Sequence, residues 1–277
     1  MEEKTRKKRE NSSSIYETTS SSSDNDNSSS LQVDFEFFNP RLGDLYTLRT
    51  LLRQLIGPDS DSIDINGLSD LVICQTLVGS TVKMDGIEGD PLAFLSVLNM
   101  NYYCEKECIK RIKSYIMTKI CSEKEFYDFF CTCFEGTGPN IGLILSERLI
   151  NMPIQVVPAM YEMLFEEIQW AQDDKEPYNF EYYIIISRSS QERVDQKGLK
   201  KRRRMAESKK KTLYFHQEDE IFKEKSLYSV TYDYSQCKGL DDVSYDRNNE
   251  ARHQGEIIMI SKEKLKEAIN ELKTMIT

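Results

Sequence analysis

Three consecutive residues, Ser146, Glu147 and Arg148, carry a hydroxyl, a carboxylate and a guanidinium. They close an apolar run (Ile141, Leu143, Ile144, Leu145) and precede a helix entered through Pro153 and Pro158. A strand that ends in polar groups before a helix N-terminus is where many α/β proteins hold anionic cofactors. Such a site needs free backbone N–H groups, and glycines that let the main chain approach the ligand. Here Pro153 and Pro158 each remove a donor, and no glycine follows Gly142 before the helix ends. Ile154, Val156 and Val157 are bulky as well. The junction reads as rigid and apolar with an exposed polar trio. Ser146, Glu147, Arg148, Asn151, Met152 and Pro153 suit a protein-contact loop, or a corner of the core, better than a phosphate site.

Other chemistry is scarce. The two histidines, His216 and His253, lie in segments that nothing in the pattern brings together. No Ser-His-Asp or Cys-His constellation is therefore specified, and no catalytic residue is expected. Cys104 and Cys108 stand one helical turn apart, and Cys131-x-Cys133 is too tight for a zinc knuckle. The seven cysteines read as reduced thiols serving as small hydrophobes. "LVGSTVKM" has the residue types of a phosphate loop but lacks its second glycine, so an ordinary strand is expected there. No metal and no cofactor is expected.

The elements that must position these groups alternate along the chain. "VDFEFF" alternates Val33, Phe35 and Phe37 with polar residues, as a half-buried strand does. Asn39-Pro40 resembles an N-cap with proline at the first helical position, and Leu42, Leu45, Leu48, Leu52, Leu55 and Ile56 follow at helical spacing until Gly57-Pro58. A second helix is expected from about Gly67 to Gln75, then strands in "LVGSTVKM" and "PLAFLSVLN". Helices follow from Glu105 to about Lys119 and from Glu123 to about Cys133. The strand at 141–146 leads into a helix at about 157–170, and "FEYYIIIS" reads as a central strand. "KTLYFH", "SLYSVTYDY" and "GEIIMI" are further strands, with a helical turn in "QEDEIF". Ser261 caps a last helix whose inner face is Leu265, Ala268, Ile269 and Leu272. Interleaved helices and strands predict an α/β fold, a mixed central sheet with helices on both faces, in one domain over 31–277.

Residues 1–30 are almost entirely polar, with Ile15 the single aliphatic residue of the serine-rich stretch, and are expected to form a disordered tail. Ser21 and Ser23 precede acids in a spacing that suits an acid-directed kinase. No run is long and apolar enough for a membrane helix, and the charged N-terminus has no secretory h-region. Net charge is −9, yet 193–211 alone carries +8, so the remainder carries −17. An acidic body repels nucleic acid and attracts basic proteins. The basic residues Lys200, Lys201, Arg202, Arg203, Arg204, Lys209, Lys210 and Lys211 fit a nuclear-import signal or a polyanion contact, in a loop at about 189–211 expected to be mobile. "RKKR" at 6–9 would be a second address.

"LRQLIG", "LSDLVI", "VGSTVKMDG", "DPLAFLSVLN" and above all "GLILSERLINMPIQVVPAMYEMLFEEI" resemble, in order and spacing, the BCCIP family. The resemblance runs from about Val33 to the C-terminal helix. It implies a fold similar to the GNAT acetyltransferases without acetyl-CoA binding or catalysis. It implies a nuclear protein-binding factor, which in the fungal branch looks like a chaperone for a large-subunit ribosomal protein and supports nuclear export of a lipid kinase. Animal members add cell-cycle and DNA-repair partners. The expectation is a non-enzymatic nuclear protein, shuttling to the cytoplasm, that shields a basic client and engages an import receptor. Direct nucleic-acid binding is not expected. The alternatives are a cell-cycle and repair adaptor and a GNAT-like acyltransferase.

Overall fold

The computed structural model describes residues 14–16, 33–136, 138–192, 212–235 and 251–276. The basic clusters at 6–9 and 200–211, Ser21 and Ser23 lie outside the described residues.

The first described strands, β1 (Ser14–Tyr16) and β2 (Val33–Phe38), pair antiparallel. A 3-10 turn over Leu42–Asp44 leads into α1 (Leu45–Ile56). Asn39-Pro40 therefore precedes the helix without capping it. Arg41 caps the 3-10 turn, its N–H donating to the Asp44 carboxylate at 3.0 Å, and Asp44 is in turn the N-cap residue of α1. Asp44 is drawn inward because buried Lys83 holds it at 2.6 Å. Gly57, at φ 71°, stops α1 as expected. In α2 (Ile65–Cys74) the Asp64 side chain accepts from Gly67 N–H at 3.0 Å, so the helix starts earlier than periodicity predicts.

β3 (Ser80–Lys83), β4 (Ala93–Asn99), α3 (Glu107–Ile120) and α4 (Lys124–Thr132) follow, close to expectation. Next come β5 (Ile141–Arg148), α5 (Val156–Asp173) and β6 (Tyr182–Glu192). β7 (Thr212–Tyr214), α6 (Glu218–Glu224), β8 (Tyr228–Tyr232), β9 (Ala251–Ser261) and α7 (Lys262–Ile276) complete the chain. Ser261 caps α7, its hydroxyl accepting from Lys264 N–H at 3.3 Å.

The strands lie in the order β1-β2-β3-β4-β5-β6-β9-β8, with β7 beside the far end of β6. All these pairs are antiparallel except β5–β6. The sheet is therefore mixed, as expected, but largely antiparallel. Period-two alternation divides two cores. Leu143, Leu145, Ile184 and Ile257 face α1–α4, packing with Leu52, Leu68, Ile112 and Phe130. Ile144, Ile185 and Ile258 face α5–α7, packing with Leu164, Phe222 and Ile269. Gly255 is needed on β9 because the Tyr232 ring of its register partner lies across it, where a β-carbon would overlap the ring.

Candidate functional site

β5 and β6 run side by side only from Ile141/Tyr182 to Ile144/Ile185. Beyond that point β5 stays with β4 as far as Arg148, while β6 follows β9 as far as Glu192. A wedge-shaped gap opens between two parallel strands, with the N-terminus of α5 close by. It is the gap to which the polar end of β5 points.

The chain fills this gap itself. The segment joining β7 to α6 enters it and meets both strands. The His216 imidazole Nε2 lies 2.7 Å from Glu147 Oε1, and the Arg188 guanidinium on β6 lies 2.7 Å from Glu147 Oε2. Gln54 of α1 donates to the same carboxylate at 3.4 Å, and Arg148 N–H at 3.1 Å. On the opposite face of the sheet, Arg148 grips Glu218 with both terminal nitrogens, one of them at 3.0 Å. Ser187 donates to Asp219 at 2.5 Å. Phe222 anchors the insertion edge-on against Tyr161 of α5, ring centres 5.5 Å apart.

Two expectations are corrected here. Glu147 and Arg148 are not exposed: they are 1% and 8% accessible, and Ser146 is half-buried. A charged trio after an apolar run reads as solvent-facing, but partners some seventy residues later neutralise it. Met152 is also buried and Pro153 half-buried, leaving Asn151 exposed beside Ile150. The histidine segments do come together. β7 and β9 flank β6 on opposite sides, and the Phe215 ring lies 5.6 Å from His253 and over Arg188.

His216 thus reaches a carboxylate and no hydroxyl, while Ser187 reaches a carboxylate and no imidazole. Among the described residues no nucleophile–base pair assembles. The donors at the start of α5 are taken too: Val156 and Val157 N–H bond to Pro153 and Ile154 C=O at 3.2 and 3.0 Å, and Pro158 has none. The arrangement is an ion-pair lock that clasps β5, β6 and α6.

The lock is sensitive to protons. Burial, then the charge of Glu218, raises the Asp219 carboxyl from 3.8 to about 7, against the lowering pull of His216, Ser187 and Arg148. Burial pulls His216 down, but its bond to Glu147 and the charges of Asp219, Glu147 and Glu218 outweigh this and raise it above 6.5. The folded state therefore keeps a proton on Asp219 that the unfolded chain loses above about pH 3.8. That contribution is full below the unfolded value and is lost as pH climbs through the folded value near 7. His216 acts in the same direction from about 6.5 upward. Urea unfolding between about pH 5 and about pH 7 should show wild type losing stability relative to Asp219→Asn, by up to about 1.4 kcal/mol per pH unit. A difference flat in pH would mean that Asp219 stays ionised in the fold.

Elsewhere, groups resembling a phosphate loop are engaged internally. Gly79 N–H and Ser80 Oγ bond to Glu167 of α5 at 2.8 and 3.2 Å, and Lys83 pairs with Asp44. β3 is the buried strand expected. Burial raises the thiols of Cys108 and Cys133, the latter to about 11, which suits packing. Cys74 and Cys121, in contrast, are exposed, so the reading of the cysteines as buried hydrophobes does not hold for them. Among the described residues no group of three histidine, cysteine or acidic side chains could hold a metal ion, and no helix is long and apolar enough to cross a membrane.

Comparison with known proteins agrees with this architecture. The BCCIP family model matches residues 30–222. Protein bcp1 of Aspergillus oryzae is 40% identical over 251 residues, covering 88% of this chain and 87% of the relative. Protein bcp1 of Schizosaccharomyces pombe is 37% identical over 258 residues, covering 87% and 89%. Among solved structures, the crystal structure of BCP1 from Saccharomyces cerevisiae superposes with a TM-score of 0.62 at 27% identity, covering 88% of this chain and 89% of that one. The matched span holds both strands of the gap and the segment that fills it, and the chain belongs to the BCCIP family.

Proposed function

We propose that the protein is a non-enzymatic binding factor that shields a basic client, a large-subunit ribosomal protein, during ribosome biogenesis. The observation that carries this reading is the filling of the gap between β5 and β6 by His216, Glu218 and Asp219. Groups of the kind that hold an anionic cofactor hold one another instead. A GNAT-like fold without a cofactor site is part of the proposal; its support is a single parallel pair that parts beyond Ile144 and Ile185. The acidic body supports the choice of client, with Glu166, Asp173 and Glu176 exposed on and just after α5. Such surfaces would occupy the cations with which a ribosomal protein grips RNA, preventing misplaced contacts and speeding encounter. Lys200–Lys211 would engage an import receptor and take the complex into the nucleus, with return to the cytoplasm. Export of a lipid kinase, and cell-cycle and repair contacts, are further roles that the family likeness supports.

The test is a titration of the purified protein with a purified large-subunit ribosomal protein at about 0.05 and about 0.3 M salt. Affinity should fall steeply as salt rises, and indifference to salt would refute the electrostatic mechanism. A parallel melting series with acetyl-CoA should show no shift; a rising melting temperature would restore the acyltransferase reading.

A further inference from the structure

The lock leaves an open groove of about 1170 Å³ beside β7. Ile154, Leu213, Ile221, Leu272 and Met275 line it. Met275 is 69% exposed and Leu213 40%, apolar surface that no described residue covers. Along one wall runs β7, whose only strand neighbour among the described residues is β6. Phe215 N–H donates to Arg188 C=O at 3.1 Å. Alternation along an antiparallel ladder then points the backbone groups of Leu213 toward β6 and those of Thr212 and Tyr214 away from it. With β6 the one strand paired to β7 among the described residues, the N–H and C=O of Tyr214 face the open side of the strand. An open strand edge beside an apolar trough is the geometry of strand addition. The remaining wall is acidic, with Glu220 and Glu224 exposed, and its lysine, Lys223, is engaged with Glu256.

We propose that this groove receives an extended segment of a partner protein, mixed in apolar and basic residues, that adds as a strand to β7. Its main chain meets Thr212 and Tyr214, its apolar side chains pack on Leu213 and Met275, and its cations face Glu220 and Glu224. The inference rests on the binding role proposed above and assigns that role a surface.

The probe is a short fluorescein-labelled peptide of valine and lysine, and its control is the same peptide methylated on alternate backbone nitrogens. Anisotropy titrations of the full chain should show binding of the probe and none of the control. The pair Leu213→Glu and Met275→Glu should weaken binding at least about tenfold, as should Glu220→Lys with Glu224→Lys. All four positions are exposed, so unchanged circular dichroism will verify the fold. Equal binding by the groove variants, or by the methylated control, would overturn the proposal. So would binding that appears only after the basic residues of 200–211 are changed to serine, since the chain's own segment would then be the occupant. A wild-type dimer made monomeric by Met275→Glu would seat a second copy there and overturn the proposal as well. Repeating the series with the ribosomal protein separates this surface from the broader role. If that protein binds wild type and groove variants alike, the groove assignment fails and the role stands. If only the peptide binds, and at the groove, the surface stands and the client is lost.

Discussion

Replacing Glu147 with glutamine should lower the free energy of unfolding by about 3 kcal/mol, the lower end of the range for breaking a buried ion pair. The carboxylate is fully enclosed and serves Arg188, His216, Gln54 and the Arg148 amide together. An amide of the same shape keeps the volume but leaves the Arg188 guanidinium without counter-charge and the His216 ring without its carboxylate partner. Arg188 keeps 14% of its side chain in contact with water and can rehydrate in part, which is why the upper end is not expected. Adding Arg188→Met to the first change removes the orphaned cation. The double variant should be more stable than the sum of the single effects predicts, with a coupling of about 0.5–3 kcal/mol. Urea titrations with unchanged m-values are the measurement. A loss under about 1 kcal/mol would show that water reaches the carboxylate freely.

The second large effect belongs to Phe222. Truncation to alanine should cost about 3–5 kcal/mol, as for other fully buried aromatic side chains. The ring has no exposure and bears edge-on against Tyr161. A seven-residue helix such as α6 does not hold its shape without tertiary packing. Losing the anchor should therefore also loosen Glu218 from Arg148 and Asp219 from Ser187. Amide exchange in 216–224 should accelerate more than in β6 or β9, and Phe222→Leu should show a smaller version of both effects. Exchange accelerated uniformly across the molecule would mean that the insertion has no stability of its own to lose.

Local pattern foretold much of the fold for physical reasons. Period-two alternation in "VDFEFF" and the apolar run "YYIII" mark a strand with one polar face and a strand buried on both. Helical spacing of leucine located α1, and a serine before a charged amphipathic run located the cap of α7. The sheet's largely antiparallel pairing was not legible. Two helices stand between β2 and β3, and two more between β4 and β5, yet both returns are antiparallel. Intervening helices usually signal parallel crossovers, and among the described residues only the β5–α5–β6 unit is one. The lock was hidden for a related reason. Residue types near Glu147 carry no trace of a histidine sixty-nine positions away. Its one sequence signal was "HQEDE", an imidazole and four polar or acidic groups wedged between two apolar strands.

The β6–β9 ladder joins eleven residue pairs across the 193–211 segment, with one strand on each side of it in the chain. A backbone break between Glu192 and Thr212 would leave two polypeptides, one holding β1–β6 and the other β7–β9 with α6 and α7. Each would carry half of a ladder and half of a core that only the other completes. The molecule is in that sense bipartite. Its halves, produced separately, should recombine into the native body through that ladder and the shared cores.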